Sequence, residues 1–381
     1  MVNNNEYPNL CLVGPMVGRN PGYVPSQGER LSDLFQERGY PVISVSSLTN
    51  RYLRLADTVR TLIYQREWIV ILIILVYSGP SFVVADIASQ IGQRSGLPIV
   101  MSLHGGAMPQ FMSRFPHWTR RVLSRADILV TQSDYLLRAL SSFGFSARVI
   151  PNVIHLNLYP YRHRARVSPR LLWMRAFHKI YNPAMALRVL DRLRAKLPQA
   201  TLVMAGQDKG LQSEMQGLAS QLELQDAVRF PGFLNMAAKI REGDIADIFI
   251  NTPHIDNRPV CVVEASAMGL PVVSTNVGGA SDLLTHAQTG LLVPDDDVEA
   301  MSKAIFRLVE DDQLSSKLSR NGKHLAKLSA PDNVGQKWES LFTELLARRK
   351  QIDDQRRQGL PGVASPLRSP DPRQIHHPGR A

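Results

Sequence analysis

Residues 251–294 constrain the fold more than any other stretch of this sequence. An apolar strand ends near Ile250, and an acidic loop then leads into a helix that begins around Pro259 and stops before Gly269. Proline at a first helical position and glycine just past the end are typical helix boundaries. A second strand and a second polar turn, residues 275–279, follow directly. Two adjacent strand-to-helix turns predict a ligand cleft at the carboxyl edge of a parallel sheet.

The two helix starts in this stretch favour an anionic ligand. A helix N-terminus presents unpaired N–H groups and the positive end of the helix dipole. Glu264 lies one turn inside the first helix, within reach of a ligand hydroxyl, and Asp256 lies in the loop before it. The stretch therefore predicts a site for a phosphate-bearing ligand. The alternative is an ordinary strand-to-helix turn with a solvated acid.

Length and patterning predict two α/β domains. A chain of 381 residues is too long for one typical core, and 44% of its residues are hydrophobic, as in ordinary globular proteins. Strand-like and helix-like patterns alternate along the chain, which indicates parallel sheets. Residues 159–170 are basic, bounded by prolines and without apolar periodicity, so we expect the connection between domains there.

Charge and cysteine content restrict the partners and the compartment. The net charge is +11, of which residues 348–381 supply +5 through eight basic and three acidic residues. This balance favours anionic partners such as sugar nucleotides or membrane surfaces, and no nucleic-acid-binding motif accompanies it. The two cysteines are far apart in sequence, which suits a reducing compartment. The first residues are polar and lack a secretory pattern, and the apolar run at 68–77 is too short to span a bilayer. These features predict a cytoplasmic protein.

The N-terminal half predicts a long first loop and a histidine at a strand end. The loop at 14–28 contains scattered glycines, among them Gly18, and loops of this length are usually functional or disordered. His104 follows the strand at 97–103. Residues 108–125 combine helix-spaced apolar residues with arginines, and Pro116 interrupts them. That segment fits either an interfacial helix at a membrane or a core-facing helix with a basic outer face.

The C-terminal half places basic residues after a strand. Arg175 and Lys179 follow the strand at 171–174, where fixed cations would stabilise a phosphate leaving group as its charge rises. A solvated basic loop is the alternative. Residues 295–297 are three aspartates with the spacing of some metal sites, but they precede a helix, and helix capping explains them better.

The spacing from Asp256 to Glu264, followed by Gly-Leu-Pro-Val-Val-Ser-Thr-Asn-Val-Gly-Gly, resembles the retaining GT-B glycosyltransferases of the glycogen-synthase and sucrose-synthase-like group (glycosyl transferases group 1, family 4). That group usually has two glutamates at these positions, and Asp256 replaces the first. The resemblance covers about residues 8–347. Met174 stands where the group has glycine, and the adjacent glycine pair of its first loop is missing.

The resemblance implies an α/β, GT-B architecture of two Rossmann-like domains whose parallel sheets face a central cleft. The expected segments are an acceptor-side domain at 1–158, a linker at 159–170, a donor-side domain at 171–331, a helix at 332–349 that crosses back to the first domain, and a disordered, basic, proline-rich tail at 350–381.

The implied reaction moves a sugar from a UDP- or GDP-linked donor to a carbohydrate or glycolipid acceptor, without metal or other cofactor and without nucleic acid. The implied catalytic residues are His104, Arg175, Lys179 and Asp256. The implied donor-binding residues are Gly18, Gly206, Asn257, Arg258, Pro259, Glu264, Thr275, Asn276, Gly278 and Gly279. Peripheral contact with the inner face of a membrane is a further expectation. A nucleotide-sugar epimerase and a non-catalytic nucleotide-sugar-binding protein remain as alternatives.

Overall fold

The computed structural model of the chain describes residues 7–20 and 25–358. These residues divide into two compact units: unit 1 comprises the residues up to Val153 and those from Val334, and unit 2 comprises Ile154–Asn333. Each unit contains one six-stranded sheet in which all paired strands are parallel. Helices flank both sheets, so the prediction of two Rossmann-like α/β domains is confirmed.

Unit 1 has the strand order β2-β1-β3-β4-β5-β6. Its strands are β1 (Leu10–Val13), β2 (Val42–Val45), β3 (Ile71–Tyr77), β4 (Ile99–His104), β5 (Ile128–Thr131) and β6 (Arg148–Val149). The central strand β3 is a continuous apolar run, as expected of a parallel strand covered on both faces. The helices that connect these strands are α1 (Gln27–Glu37), α2 (Arg51–Tyr64), α3 (Phe82–Arg94), α4 (Met108–Arg114), α5 (Pro116–Leu123) and α6 (Asp134–Ser142).

Unit 2 has the strand order β12-β11-β10-β7-β8-β9, the order of a Rossmann dinucleotide-binding sheet. Its strands are β7 (Arg170–Met174), β8 (Thr201–Ala205), β9 (Val228–Gly232), β10 (Ile248–Asn251), β11 (Val272–Thr275) and β12 (Leu291–Val293). Its helices are α7 (Pro183–Arg194), α8 (Gln212–Gln221), α9 (Met236–Ile245), α10 (Val260–Ala267), α11 (Ala280–Leu283), α12 (Val298–Glu310) and α13 (Asp312–Lys327). The strand order reverses between β7 and β10, which are parallel neighbours, and open α/β sheets bind their ligands at such a switch point.

The last helix, α14 (Pro331–Arg357), packs against unit 1. Trp338 is buried with its ring centre 5.7 Å from that of Phe35, and Arg38 pairs with Glu339 at 2.7 Å. The tail was predicted to begin at residue 350, and this is wrong for residues 350–357, because good helix formers there continue α14. The rest of the predicted disordered tail, from residue 359, lies outside the described residues.

Residues 159–170, predicted as a linker, pack into unit 2. The Arg164 side chain is buried and donates hydrogen bonds to the carbonyl oxygens of Gly243, Ala246 and Met268, at the ends of α9 and α10. A cation at helix C-termini satisfies carbonyl groups that have no partner within the helix. Burial, followed by the nearby Arg162, lowers the pKa of Arg164 to about 10.

The segment at 108–125 forms α4 and α5, which are separated at Pro116 as its sequence indicated. Met108, Met112 and Val122 are buried in the core of unit 1, so the apolar side of this segment faces the protein. Asp86 of α3 accepts hydrogen bonds from Arg121 and Arg125 of its basic side. Among the described residues, no helix has both the length and the apolar character that a membrane span needs.

Candidate active site

The site of unit 2 lies where the strand order of its sheet reverses, between β7 and β10. Arg175 follows β7 directly, and the loop that contains Asp256 follows β10. Because β7 and β10 are paired neighbours, the two loops begin side by side at the carboxyl edge of the sheet. Ligands of open α/β sheets bind at this position.

The guanidinium of Arg175 is enclosed by three partners. Its Nη2 donates a hydrogen bond to the carboxylate of Asp256, and its Nη1 lies 3.0 Å from the Sγ atom of Cys261. Its central carbon lies 3.9 Å from the ring centre of Tyr181. Burial disfavours the charged form of Arg175, but Asp256, followed by Cys261 and Tyr181, outweighs it and raises the pKa of the guanidinium. Arg175 is therefore a fixed, permanent cation.

Cys261 connects this cation to the N-terminus of α10. It is the second residue of that helix and is buried, and burial raises the pKa of its thiol despite the facing guanidinium. The guanidinium therefore lies against the first turn of α10, whose dipole is positive at the same end. The guanidinium, paired on another side with Asp256, and the positive end of the α10 dipole lie at one point, which suits an anionic group.

Two glycines allow the loops of the site to approach one another. A Cβ atom on Gly206 would lie 1.8 Å from the carbonyl oxygen of Arg175, and one on Gly278 would lie 1.9 Å from the carbonyl oxygen of Asp256. Gly278 also has φ +56°, which favours glycine. Gly279 donates its N–H to the carbonyl oxygen of Asp256 at 3.0 Å. The loops after β7 and β8 are thus in close backbone contact at Arg175, and the loops after β10 and β11 at Asp256.

Glu264 holds a separate position on α10, and both of its carboxylate oxygens are engaged. Tyr159 donates its hydroxyl to Oε1 at 2.7 Å, and Lys239 of α9 donates to Oε2 at 2.7 Å. Glu264 and Tyr159 are buried, and the Lys239 side chain is 19% exposed. The two contacts therefore fix the direction of the carboxylate, as an acceptor of ligand hydroxyl groups requires.

If Glu264 binds the ribose of a nucleotide-sugar donor, as the resemblance implies, Lys239→Met should raise the donor KM by about tenfold and leave kcat nearly unchanged. The substitution removes a charge-assisted hydrogen bond to Glu264, and a ribose contact changes little between ground and transition states. Steady-state kinetics with the donor varied measures both constants. Lys303→Met, which removes a solvent-exposed lysine of α12, is the matched control and should change neither. A fall in kcat at constant KM would contradict this role for Glu264.

The other residues of unit 2 to which the resemblance assigns roles lie around this centre in different environments. Thr275 is buried and donates to the carbonyl oxygen of Pro253 at 2.7 Å, so its side chain fixes the β10 loop. Asn257 is buried, and its backbone N–H donates a hydrogen bond to the Asp256 carboxylate. Asn276 is exposed and Arg258 is half-buried. Pro259 directly precedes α10. Lys179 is exposed on a 3-10 turn, and the structure does not bring it to Asp256 as it does Arg175.

The three consecutive aspartates have three separate partners. Asp297 accepts the N–H of Ala300 and caps α12, which confirms the capping interpretation. Asp296 accepts a hydrogen bond from Asn182, and Asp295 pairs with His254 at 3.0 Å. Within residues 7–20 and 25–358, no three side chains of histidine, cysteine or acidic type cluster as metal ligands would.

The two implied site residues of unit 1 lie on different strand ends of its sheet. His104 ends β4 and is buried; its Nε2 is 3.1 Å from the hydroxyl of Ser102, and its ring stacks on Tyr77 at 5.3 Å. Gly18 lies in the loop after β1, where its N–H donates to the carboxylate of Glu29 at 3.0 Å. A Cβ atom on Gly18 would lie 2.5 Å from that carboxylate, so the loop requires glycine there.

The buried position of His104 predicts a loss of stability in acid. Burial lowers its pKa from 6.5 to about 4, so the unfolded chain binds a proton more readily. The neutral ring contributes fully to the free energy of unfolding above pH 6.5, and this contribution is lost as the pH falls towards 4. We expect a loss of about 2 kcal/mol by about pH 5 relative to a His104→Gln variant, measured by urea unfolding. Parallel pH profiles of the two proteins would contradict it.

Four residues of the site were not singled out from the sequence as contributing to it. Tyr181 and Cys261 hold Arg175, and Tyr159 and Lys239 hold Glu264. The position of Cys261 three residues before Glu264 on one helix was a usable signal, because both lie in the first two turns. Nothing in the local sequence around Tyr159 or Lys239 points to Glu264, since the partners are far apart along the chain.

Comparisons with known proteins agree with this arrangement. Residues 167–325 match the model of the family described as glycosyl transferases group 1. The chain is 39% identical over 100 residues to an exopolysaccharide phosphotransferase of Streptomyces coelicolor, across 26% of this chain and 10% of that protein. It is 26% identical to a glycogen synthase of Mycobacterium tuberculosis, across 63% of this chain and 61% of that protein. The chain thus spans less than two thirds of the length of both relatives.

The fold is similar to that of Anabaena HepE, solved in complex with UDP and glucose. The TM-score is 0.69 at 17% identity, with 88% of this chain and 100% of HepE covered. The similarity to HepE shows a GT-B fold. The match to the glycosyl transferases group 1 model lies within unit 2.

Proposed function

We propose that the chain transfers a sugar from a UDP- or GDP-linked donor to a hydroxyl group of a carbohydrate or glycolipid acceptor, with retained anomeric configuration. The observation that carries this proposal is the position of the Arg175 guanidinium against the first turn of α10, at the reversal point of the unit 2 sheet. A nucleoside diphosphate carries the charge and the ribose hydroxyls that Arg175 and Glu264 suit. The complex of HepE with UDP and glucose supports the same donor class.

The chemistry follows from where charge appears. When the glycosidic bond breaks, negative charge grows on the departing diphosphate, so a cation at that place stabilises the transition state more than the bound donor. Asp256, Cys261 and Tyr181 hold the guanidinium before any ligand arrives. Such a preorganised cation needs little rearrangement during the reaction, which is the condition for effective electrostatic catalysis.

The other residues in this proposal bind the ribose, the phosphate or the sugar of the donor. Glu264 binds the ribose, and Asp256 with the backbone amides of residues 257–259 binds the sugar. Residues 275–279 border the phosphate or the sugar, and the Gly206 loop borders the nucleotide. Gly18 of the first loop is a further donor-binding residue. Lys179 is a second cation for the diphosphate, reached by movement of its exposed side chain. His104 binds the sugar near its 6-position as a neutral group, because burial lowers its pKa to about 4.

A panel of nucleotide sugars tests the proposal by thermal shift of the whole chain. A ligand that binds only the folded state raises the melting temperature according to its concentration and affinity. We expect UDP- or GDP-sugars to raise it and the Glu264→Gln variant to reduce that rise. If no nucleoside diphosphate or nucleotide sugar shifts the melting temperature, the donor site is assigned wrongly. An epimerase or a non-catalytic binding protein would show the same shift, so products must distinguish them.

We expect turnover to survive EDTA, because Arg175 and the α10 N-terminus take the place of a divalent cation at the diphosphate. The three aspartates at 295–297 are already engaged by a helix cap, an asparagine and a histidine. The measurement is nucleoside diphosphate release with and without chelator. Activity that is lost in EDTA and restored by magnesium or manganese would contradict this and return Asp295 and Asp297 to consideration as metal ligands.

A further inference from the structure

Helix α2 of unit 1 turns apolar side chains outward. Only Thr58 and Leu62 of its 14 residues are buried. Tyr52, Leu53, Ile63 and Tyr64 are 68%, 59%, 50% and 78% exposed, and Leu48 just before the helix is 42% exposed. These five belong to thirteen large apolar side chains that are exposed among the described residues. Scattered single residues of this kind are ordinary, but a cluster on one helix indicates a contact surface.

The exposed residues form one stripe along the helix. The exposed residues of one side of α2, which we term the α2 face, are Tyr52, Leu53, Ala56, Arg60, Ile63 and Tyr64. They share that side because Tyr52, Ala56, Arg60 and Tyr64 are four residues apart, and Leu53 and Ile63 are each three residues from a member of that row. The opposite side meets the core of unit 1 through Leu62. Helix α2 thus carries apolar residues on its outward side as well as on the side that meets the core.

Arginines accompany this apolar stripe. Arg51, Arg54, Arg60 and Arg66 lie in or directly after α2, against Asp57 and Glu67, so residues 51–67 are basic. The guanidinium of Arg51 lies 4.8 Å from the ring centre of Tyr52, and that of Arg60 lies 5.8 Å from the ring centre of Tyr64. Tyrosines with adjacent arginines fit the boundary of a bilayer, where rings enter the headgroup region and guanidinium groups meet lipid phosphates.

A second basic segment lies on the same side of the unit 1 sheet. Leu62 of α2 and Val122 of α5 belong to one core cluster, with α3 between the two helices. Arg114 and Arg120 are exposed there, and Phe115 is 40% exposed. The region at 108–125 alone suggested an interfacial helix, but its apolar residues are mostly buried. The α2 face supplies the exposed apolar surface that this segment lacks.

We propose that the α2 face is a docking surface for an anionic lipid bilayer, on which α2 lies parallel to the membrane plane. The charge argues for this occupant over a second copy of the chain, because a two-fold contact would set the same arginines against each other. Nucleic acid would match the arginines but leave the apolar stripe in water. This inference goes beyond the proposed function and does not depend on it, since no donor-site residue lies on α2.

Vesicle cosedimentation of the full chain tests the proposal. The vesicles contain phosphatidylglycerol and phosphatidylcholine in equal parts, with pure phosphatidylcholine as comparison. We expect binding to the anionic vesicles alone, weakened by salt. Arg51→Gln with Arg60→Gln should weaken it by about 30-fold, at about fivefold per arginine. Tyr52→Ser with Tyr64→Ser should weaken it by about tenfold or more through loss of apolar insertion.

The matched control removes the same charge from unit 2. Arg188→Gln with Arg241→Gln replaces two exposed arginines on α7 and α9 and should leave binding unchanged. All variants should keep the parent melting temperature and its shift with UDP, because the substituted side chains are exposed. Absence of vesicle binding by the parent, or equal binding by the α2 variants, would overturn the proposal. So would a dimer in light scattering that the tyrosine variant abolishes, since a second copy would then be the occupant.

Discussion

Arg175→Ala is expected to lower kcat by about 10²- to 10³-fold, with a much smaller change in donor affinity. In the proposed reaction the guanidinium faces charge that grows only as the glycosidic bond breaks, so its loss would affect the transition state more than the bound donor. Steady-state kinetics together with the thermal shift caused by UDP separates the two effects. Arg175→Lys should recover part of the rate, because lysine keeps the charge but not the simultaneous contacts to Asp256 and Cys261.

A double substitution separates catalysis from folding at this position. Arg175 and Asp256 are a mostly buried pair, with side chains 9% and 16% exposed, so removal of one partner leaves an uncompensated charge. Arg175→Met with Asp256→Leu removes both charges and should regain stability that Arg175→Met loses. It should not regain turnover. Turnover that returns with stability would mean that the arginine is only structural.

Gly278→Ala is expected to destabilise unit 2 by about 2–4 kcal/mol and to abolish donor binding. The added Cβ would lie 1.9 Å from the carbonyl oxygen of Asp256, at φ +56°, so both overpacking and backbone strain oppose it. Gly206→Ala, with a Cβ 1.8 Å from the carbonyl oxygen of Arg175, should act similarly. Urea unfolding and the thermal shift with UDP measure the two losses.

Gly217→Ala is the matched control for these glycines. Gly217 lies within α8, and a Cβ there would meet no atom within 4 Å. Alanine in a helix interior is favoured over glycine, so this variant should be stabilised by about 0.5–1 kcal/mol and bind donor normally. Tolerance of alanine at position 278 as at position 217 would contradict the close approach of the loops.

Much of the architecture could be predicted because buried parallel strands are continuous apolar runs. The sequences of β3 and β10 show such runs, and the position of α10 follows from Pro259 and Gly269 at its ends. Helix α2 was not predicted, because exposed apolar residues lie beside its core-facing ones and no single apolar stripe stands out. The end of α14 was placed too early, because a polar composition was taken for disorder although its residues favour helix.

From the sequence, only those site residues that follow a strand directly, in the next loop or in the helix after that loop could be predicted. Arg175 and Asp256 each follow a strand, and the order of the sheet then brings them together. The contacts of Arg175 with Tyr181 and Cys261 depend on where side chains point, which no local pattern encodes. The same holds for Lys239, which reaches Glu264 from a helix 25 positions away in sequence.

The most direct test of the central claim is the identity and configuration of the product. The full chain is incubated with a nucleotide sugar that shifts its melting temperature and with a panel of carbohydrate and glycolipid acceptors, and proton NMR follows the anomeric signals. The account predicts stoichiometric nucleoside diphosphate and glycoside, with the donor's anomeric configuration retained and the rate dependent on Arg175. An epimerised sugar, an inverted glycoside, or tight donor binding without any transfer would contradict it.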